Sequence, residues 1–215
     1  MKKVFDSFIN KEIQQKLKNK NDFKKAVFLD RDGVIIKDRH YIKDPLQVEL
    51  ENNIKKIIEY AIKEGWLIIV ITNQSGISKG LLSWEDYKNV NKRMLEIIGE
   101  PNPFAAIYAN SLSKNIPPND WRKPSPKMLF QAAKDFHIDL KKSIIIGDRI
   151  SDIKAGANAS LSIGIHLLTG HGKKERCKLD QNLDQNSRWI GKNFHIKVIK
   201  INTLDDFPLI ILKNE

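Results

Sequence analysis

The chain has 215 residues, 41% hydrophobic and 29% charged, which is typical of a globular protein long enough to bury a sizeable core. No apolar run reaches the roughly 18 residues of a membrane-spanning helix, and the single cysteine, Cys177, excludes an intramolecular disulfide and a cysteine zinc cluster. The net charge of +11 fits a solvated lysine-rich surface, or one that attracts phosphorylated substrates or nucleic acid. The first twenty residues lack the apolar core and cleavage site of a signal peptide, so we expect a cytoplasmic protein.

The first half of the chain alternates predicted strands and helices. Residues 1–25 are polar, and we expect them to form a helical or loose N-terminal extension. The apolar residues of 26–30 predict a buried strand, and isoleucines at helical spacing predict a helix over 52–63 that ends at Gly65. The continuous apolar run of 66–72 is typical of a central parallel strand.

The second half continues this alternation. Ser83 and Asp86 have the spacing of a capping box at the start of an amphipathic helix. Further predicted elements are a short strand at 105–109, a helix that begins at Ser125-Pro126, a strand at 143–148 and a short strand at 162–167. Residues 172–195 are polar and predict a surface insertion. We therefore expect a single α/β domain over 26–215, built as a three-layer sandwich around a Rossmann-like parallel sheet.

Polar side chains follow three of the predicted strands, at the carboxyl ends where ligands bind in such sheets. Asp30 and Asp32 follow the first strand, Thr72 and Asn73 the second, and Asp148 the third. Clustered carboxylates raise one another's pKa unless a cation lies among them. A hard divalent cation with oxygen ligands, such as Mg²⁺, is therefore expected at this edge.

The two aspartates of the segment FLDRDGVI suit two roles in phosphoryl transfer. One carboxylate can attack phosphorus and form an acyl phosphate. The other can protonate the leaving oxygen and later activate water. A lone D-x-D at a strand end is also common in turns and caps, so this interpretation depends on the remaining motifs.

Four segments taken together resemble, in order and spacing, the motifs of the haloacid dehalogenase phosphohydrolase superfamily: FLDRDGVI, VITNQSG, RKPSPKM and IIIGDRISD. The resemblance implies that Asp30 is the nucleophile and Asp32 the general acid and base. It implies that Thr72 and Asn73 bind the transferring phosphate and that Lys123 neutralises its charge.

The same resemblance implies how the metal is held. Mg²⁺ would bind Asp30, the backbone carbonyl of Asp32, and Asp148. Asp152 would orient these groups, although it could equally be a charge in the first turn of the following helix.

Within the superfamily, roughly residues 26–170 resemble the D-glycero-D-manno-heptose 1,7-bisphosphate phosphatases and the related histidinol-phosphate phosphatases. The features that carry this are the arginine inside DRDG, the run KDRHYIKDPLQVEL, the run TNQSGISKG and the pair Arg122-Lys123. The resemblance implies a domain without a large cap. It also implies that the substrate pocket includes Asp38, Tyr41, Gln74, Ser75, Arg122 and Arg149.

One loop departs from this branch. The branch carries a zinc loop of the form C-x-H then C-x-C, whose positions fall here near Asn110, Leu112, Asn119 and Trp121. None of these is a sulfur or imidazole ligand, so we expect no zinc. We expect packing by Trp121, Ile116 and two prolines to hold the loop instead.

The sequence thus predicts a Mg²⁺-dependent phosphatase acting on a small phosphorylated sugar, with the C7 phosphate of the heptose bisphosphate as the leading substrate. Histidinol-phosphate phosphatase and polynucleotide 3′-phosphatase remain alternatives. The latter enzymes also carry TNQ-x-G and RKP without a zinc loop, and a charge of +11 suits a phosphate backbone. Their first motif lacks the arginine, however, so a nucleic-acid partner is not favoured.

We expect no membrane partner and a monomeric protein. The histidines are left more open. The sequence leaves open whether His40, in the pocket segment, touches substrate and whether His171 lies near the edge of the site. His137 and His166 are expected to be ordinary surface or core residues.

Overall fold

One mainly parallel sheet organises the protein, whose computed structural model describes residues 3–18, 22–114, 120–190 and 195–213. The strands in these ranges are β1 Phe5–Ile9, β2 Ala26–Leu29, β3 Leu67–Asn73, β4 Phe104–Asn110, β5 Ile144–Gly147, β6 Ile163–His166, β7 Arg188–Ile190 and β8 His195–Lys200. Their spatial order is β1-β4-β3-β2-β5-β6-β8-β7. The inner strands from β4 to β8 pair in parallel, whereas β1 and β7 pair antiparallel at the two edges.

Helices cover both faces of this sheet. The α-helices in the described ranges are α1 Lys11–Lys18, α2 Ile54–Lys63, α3 Ser75–Ser78, α4 Trp84–Ile98, α5 Lys127–Phe136, α6 Ile150–Asn158 and α7 Gly172–Asp180. One apolar cluster joins α2 and α4 to one face of the sheet, and a second joins α5 and α6 to the other. The three-layer α/β sandwich predicted from the alternating pattern is confirmed.

Strand β2 shows why the central strands read as continuous apolar runs. Val27 and Leu29 belong to the cluster with α2 and α4, whereas Ala26 and Phe28 belong to the cluster with α5 and α6. Because successive side chains point to opposite faces, a strand covered on both sides needs apolar residues at every position. The capping box of Ser83 at the start of α4 is also present.

The N-terminal residues contribute directly to the sheet. β1 pairs antiparallel with β4, with Phe5 opposite Asn110. The Phe5 ring stacks on Trp121, with centroids 4.2 Å apart. The Gln14 side chain, on α1, donates a hydrogen bond to the carbonyl of Asp135 at 3.2 Å. The domain boundary at residue 25 stays a prediction, but β1 is part of the same sheet as the predicted domain.

The polar segment of 172–195 forms α7 and β7 within its described residues. Leu179 and Trp189 are buried in the core cluster that contains α6. This segment is therefore packed against the core and is not only a surface insertion. The chain after β8 adds two short 3-10 helices, Leu204–Asp206 and Leu209–Leu212, which contribute Leu204 and Leu212 to the cluster with α2 and α4. None of the helices that the structure describes is long and apolar enough to cross a membrane.

Candidate active site

The carboxyl ends of three neighbouring strands form one polar edge of the sheet. β2 lies between β3 and β5, so the residues that end or follow these strands meet there. Asp30 follows β2, Thr72 and Asn73 end β3, and Asp148 follows β5. Asp30 and Asn73 line a cavity of about 190 Å³. The chain between β2 and α2 contains one short 3-10 helix, and the chain between β3 and α4 contains only α3, so neither connection carries a large cap.

A cluster of buried carboxylates includes Asp30 of the cavity lining. Asp30, Asp148 and Asp152 each offer one oxygen, and these atoms lie within 4.8 Å of one another. Burial, only partly offset by Lys123, raises the pKa of Asp30 to about 6. Burial and then the Asp30 charge raise the pKa of Asp148 to about 8. Oδ1 of Asp148 is buried without a hydrogen-bond partner. An unpaired oxygen among clustered carboxylates is a donor set that fits a hard divalent cation.

The Asp148 carboxylate is held by a close approach of two backbone segments. The amide of His171 donates a hydrogen bond to Oδ2 at 2.7 Å. A Cβ atom on Gly33 would lie 2.8 Å from this oxygen, and one on Gly170 would lie 2.3 Å from it. Gly33 also has a φ of +80°, in the left-handed region that favours glycine. Glycine is therefore required at both positions for Asp148 to occupy its place.

Lys123 supplies a buried positive charge to the cluster. Its Nζ lies 3.0 Å from Oδ1 of Asp30 and 2.7 Å from Oδ1 of Asp152, and it donates to the carbonyl of Ile71 at 2.8 Å. Burial alone would lower the pKa of Lys123, but Asp152 and Asp30 together raise it above its usual value. Lys123 is thus held charged between two carboxylates.

Two neighbouring side chains position Lys123. The Asn73 amide donates to the carbonyl of Lys123 at 3.2 Å and accepts from its N–H at 3.1 Å. The phosphate contact predicted for Asn73 stays a prediction, and this backbone contact is one that the motif did not indicate. Oδ2 of Asp152 accepts from the amide of Arg149 at 3.0 Å. Asp152 therefore belongs to the first turn of α6 and also contacts Lys123, so the two interpretations of this residue are compatible.

Asp32 lies beside this cluster and faces the cavity. Its Oδ2 accepts a hydrogen bond from Nε2 of Gln74 at 2.8 Å, and the same nitrogen lies 2.9 Å from Oγ1 of Thr72. Arg31 forms an ion pair with Asp32, with 3.0 Å between Nη2 of Arg31 and Oδ1 of Asp32. Gln74 was predicted to line the substrate pocket, and it also links Asp32 to Thr72.

The mouth of the cavity contains the pocket residues predicted from the branch motifs. They are Asp38, Tyr41, Ser75, Arg122 and Arg149. The lining also includes His40 and His171, which the sequence left open, and Lys79, which the sequence did not single out. Nε2 of His171 lies 3.2 Å from Oδ2 of Asp38, and Nζ of Lys79 donates to the Tyr41 hydroxyl at 2.7 Å, which lowers the pKa of Tyr41.

The contacts of Lys79 and His171 join loops that are far apart in the chain, so periodicity and spacing could not reveal them. One residue of the NQSG motif does bear on this part of the cavity. A Cβ atom on Gly76 would lie 2.6 Å from the Tyr41 ring, so glycine at this position leaves room for that ring.

The loop that departs from the zinc-binding pattern is only partly described. Asn110 is buried at the end of β4, and its amide donates to the carbonyl of Leu112 at 3.2 Å. Trp121 stacks on Phe5, so part of its packing comes from β1. Asn119, Ile116 and the two prolines lie outside the described residues.

The chain is similar to known phosphatases in sequence. The HAD-hydrolase-like family model matches residues 120–192. A D-glycero-beta-D-manno-heptose-1,7-bisphosphate 7-phosphatase of Mesorhizobium japonicum is 39% identical over 146 residues, which cover 65% of this chain and 67% of the relative. The Helicobacter pylori (strain J99) enzyme of the same name is 34% identical over 175 residues, covering 77% and 97%. A Campylobacter jejuni enzyme named for the alpha anomer is 36% identical over 152 residues, covering 70% and 86%.

Solved structures agree with this similarity. A protein of Mesorhizobium loti described as a HAD-like phosphatase has a TM-score of 0.69 and 30% identity, covering 89% of this chain and 87% of that one. The D,D-heptose 1,7-bisphosphate phosphatase of B. bronchiseptica, complexed with magnesium and phosphate, has a TM-score of 0.68 and 22% identity, covering 84% and 93%. This second likeness concerns the fold alone. The fold, the carboxylate edge and the sequence relatives together show that the chain belongs to the haloacid dehalogenase-like phosphatases, in the family of the D-glycero-D-manno-heptose 1,7-bisphosphate 7-phosphatases.

Proposed function

We propose that this phosphatase hydrolyses the C7 phosphate of D-glycero-D-manno-heptose 1,7-bisphosphate through an aspartyl phosphate on Asp30. The observation that carries the chemistry is the buried Asp30 carboxylate, paired with Lys123 at 3.0 Å beside Asp148. The substrate is inferred from the names of relatives that are 34% to 39% identical.

Asp30 is the group that we assign to attack phosphorus. Its Oδ1 accepts from the amide of Arg31 at 2.7 Å and from Lys123 at 3.0 Å, so the carboxylate plane is fixed before substrate binds. Attack forms the acyl phosphate bond and breaks the bond between phosphorus and the sugar oxygen. Lys123 neutralises charge on the transferring group and on Asp30.

Asp32 is the group that we assign to proton transfer. It gives a proton to the departing sugar oxygen in the first step. In the second step it takes a proton from the water that attacks the acyl phosphate. Inorganic phosphate leaves, and Asp30 is restored as a carboxylate. Thr72 and Asn73 are proposed to contact the phosphate during both steps.

Asp30, Asp148 and the backbone carbonyl of Asp32 are proposed to hold one Mg²⁺. The buried unpaired Oδ1 of Asp148 supports this assignment. When bound, the ion would neutralise the carboxylates and the phosphate oxygens. Asp152 is already engaged with Lys123 and with the amide of Arg149, so we assign it an orienting role.

The mouth of the cavity supports a substrate with a second phosphate and several hydroxyls. Arg122 and Arg149 line it, and guanidinium groups bind phosphate with two directed hydrogen bonds. Asp38, Tyr41 and Gln74 can exchange hydrogen bonds with sugar hydroxyls.

The test is kcat/KM for the heptose 1,7-bisphosphate, histidinol phosphate and a 3′-phosphorylated oligonucleotide, all with Mg²⁺ and at one salt concentration. We expect the heptose bisphosphate to exceed the others by about two to three decades, because a substrate that leaves buried polar groups unpaired loses a few kcal/mol of transition-state binding. If the oligonucleotide is fastest and its rate falls steeply with salt, a polynucleotide 3′-phosphatase takes the place of this proposal. Gel filtration and cell fractionation would test the accompanying proposals of a monomer and a cytoplasmic location.

A further inference from the structure

Arg31, the residue between the two motif aspartates, is among the largest fully buried side chains, with 1% of its surface exposed. A buried guanidinium needs a partner, because an unpaired charge in the interior is strongly unfavourable. Its partner is Asp32. Nη2 lies 3.0 Å from Oδ1 and 3.1 Å from Oδ2, and Nε lies 3.2 Å from Oδ2. Arg31 therefore holds both oxygens of the carboxylate.

Helix α4 holds Arg31 from the opposite side. Nη1 donates to Oδ1 of Asn91 at 2.9 Å, and the guanidinium carbon lies 5.2 Å from the centroid of the buried Tyr87 ring. Tyr87 and Asn91 are one helical turn apart, so they present one surface to the guanidinium. The orientation of Arg31 is thus set by a regular helix rather than by a loop.

Asp32 keeps one side open to the cavity. Gln74 donates to its Oδ2 at 2.8 Å, and 25% of the Asp32 side chain is exposed. A carboxylate that is fixed by Arg31 and Gln74, and that still borders the cavity, is restricted in direction but accessible to a substrate.

We infer that Arg31 is a positioning residue that directs the Asp32 carboxylate toward the oxygen of the leaving group. This inference rests on the proposed function, in which Asp32 protonates that oxygen. If Arg31 has this role, the rate that is lost when Arg31 is replaced should depend on the leaving group of the substrate. An alkyl oxygen needs a proton as its bond to phosphorus breaks, whereas p-nitrophenolate leaves without one. Loss of Arg31 should therefore slow alkyl phosphates much more than p-nitrophenyl phosphate.

The experiment compares Arg31→Lys with the wild-type enzyme on the heptose bisphosphate and on p-nitrophenyl phosphate, each at saturating Mg²⁺. Lysine keeps the charge but cannot form the two-pronged contact. We expect kcat for the alkyl phosphate to fall about 100-fold, and for the aryl phosphate less than about tenfold. Asp32→Asn should show the same pattern, and adding Arg31→Lys to it should change little. Arg93→Lys, at an exposed arginine of α4, is the matched control and should leave both rates unchanged.

Asn91→Ala tests the same inference if Arg31→Lys does not fold. This change leaves the contact between Arg31 and Asp32 in place but removes one support, so we expect a several-fold loss on the alkyl phosphate alone. Equal losses on both substrates, or no loss on either, would overturn the positioning role while leaving the proposed function standing. Absence of phosphate release by the wild-type enzyme from both substrates would remove the proposed function and the inference with it.

Discussion

The ammonium nitrogen of Lys123 lies 3.0 Å from the carboxylate oxygen of Asp30 that also accepts from the amide of Arg31. On its other side the same nitrogen lies 2.7 Å from Asp152. The cluster that contains Asp148 as well therefore sets three carboxylates against one buried ammonium group. Because the negative charges outnumber the positive one, removing the ammonium group should destabilise the protein and binding a metal cation should stabilise it.

Lys123→Met should destabilise the protein by about 3–5 kcal/mol, because it removes the buried partner of two carboxylates. Urea unfolding at pH 7 measures this change. Adding Asp152→Asn should restore part of the loss, since one fewer carboxylate is then left unpaired. A double variant no more stable than the single one would contradict this account. Lys92→Met, at an exposed lysine of α4, is the control and should stay within about 0.5 kcal/mol of the wild type.

Asp30→Asn should lower kcat more than about 1,000-fold while the protein stays folded, because an amide cannot form the acyl phosphate. Burial raises the pKa of Asp30 to about 6, so the site tolerates a neutral group there. Phosphate release together with thermal unfolding measures both effects. Asp22→Asn, at an exposed carboxylate that precedes β2, is the control and should change neither the rate of phosphate release nor the thermal unfolding. A variant that keeps more than a tenth of the wild-type rate would rule out Asp30 as the nucleophile.

Chelation should abolish activity, and added Mg²⁺ should restore it, because the carboxylate oxygens are hard ligands. Mg²⁺ should also raise the melting temperature of the wild type, but not of Asp148→Asn, which lacks the ligand. Elemental analysis of the purified protein should find no stoichiometric zinc, given the residues around Asn110 and Trp121. Full activity after chelation would refute the metal requirement, and one zinc per chain would refute the expectation for the loop.

The buried His166 should make stability depend on acid pH. Burial and then the charge of Arg176 lower its pKa to about 4, and Arg176 donates to its Nδ1 at 3.1 Å. The unfolded chain, with a histidine pKa of about 6.5, takes up the proton first as the pH falls. The stability that His166 contributes is therefore complete above pH 6.5 and is lost as the pH falls towards 4.

Urea unfolding at several pH values checks this expectation. His166→Gln should reduce the fall in the free energy of unfolding between about pH 6.5 and 4, by up to about 1.4 kcal/mol per pH unit. If the slope survives His166→Gln, another group is responsible for the acid sensitivity.

The sequence predicted the central strands and the carboxylate edge because both follow from local patterns. Strand β2 is apolar at every position, and Asp30 and Asp148 follow directly after such runs. Strand β1 was missed because FDSFI is an edge strand whose residues are only half-buried or exposed.

The residues that hold the proposed catalytic groups in place could not be predicted from local patterns. The amide of His171 reaches Asp148 from 23 residues further along the chain, and Asn91 reaches Arg31 from 60 residues away. Such contacts arise only once the loops and helices have packed, so neither residue type nor spacing reveals them. The motifs predict which residues act, whereas the fold decides which residues hold them in place.

Strand β1 has a practical consequence for handling this protein. A truncated version starting at Ala26 would turn β4 into the sheet border, with unpaired N–H and C=O groups and apolar side chains presented to solvent. Such a border recruits other chains, so the shortened protein should self-associate on expression. It would also uncover Trp121, which precedes the Arg122-Lys123 pair and now stacks on Phe5. Residues 5–9 should therefore be kept in any shortened version of this protein.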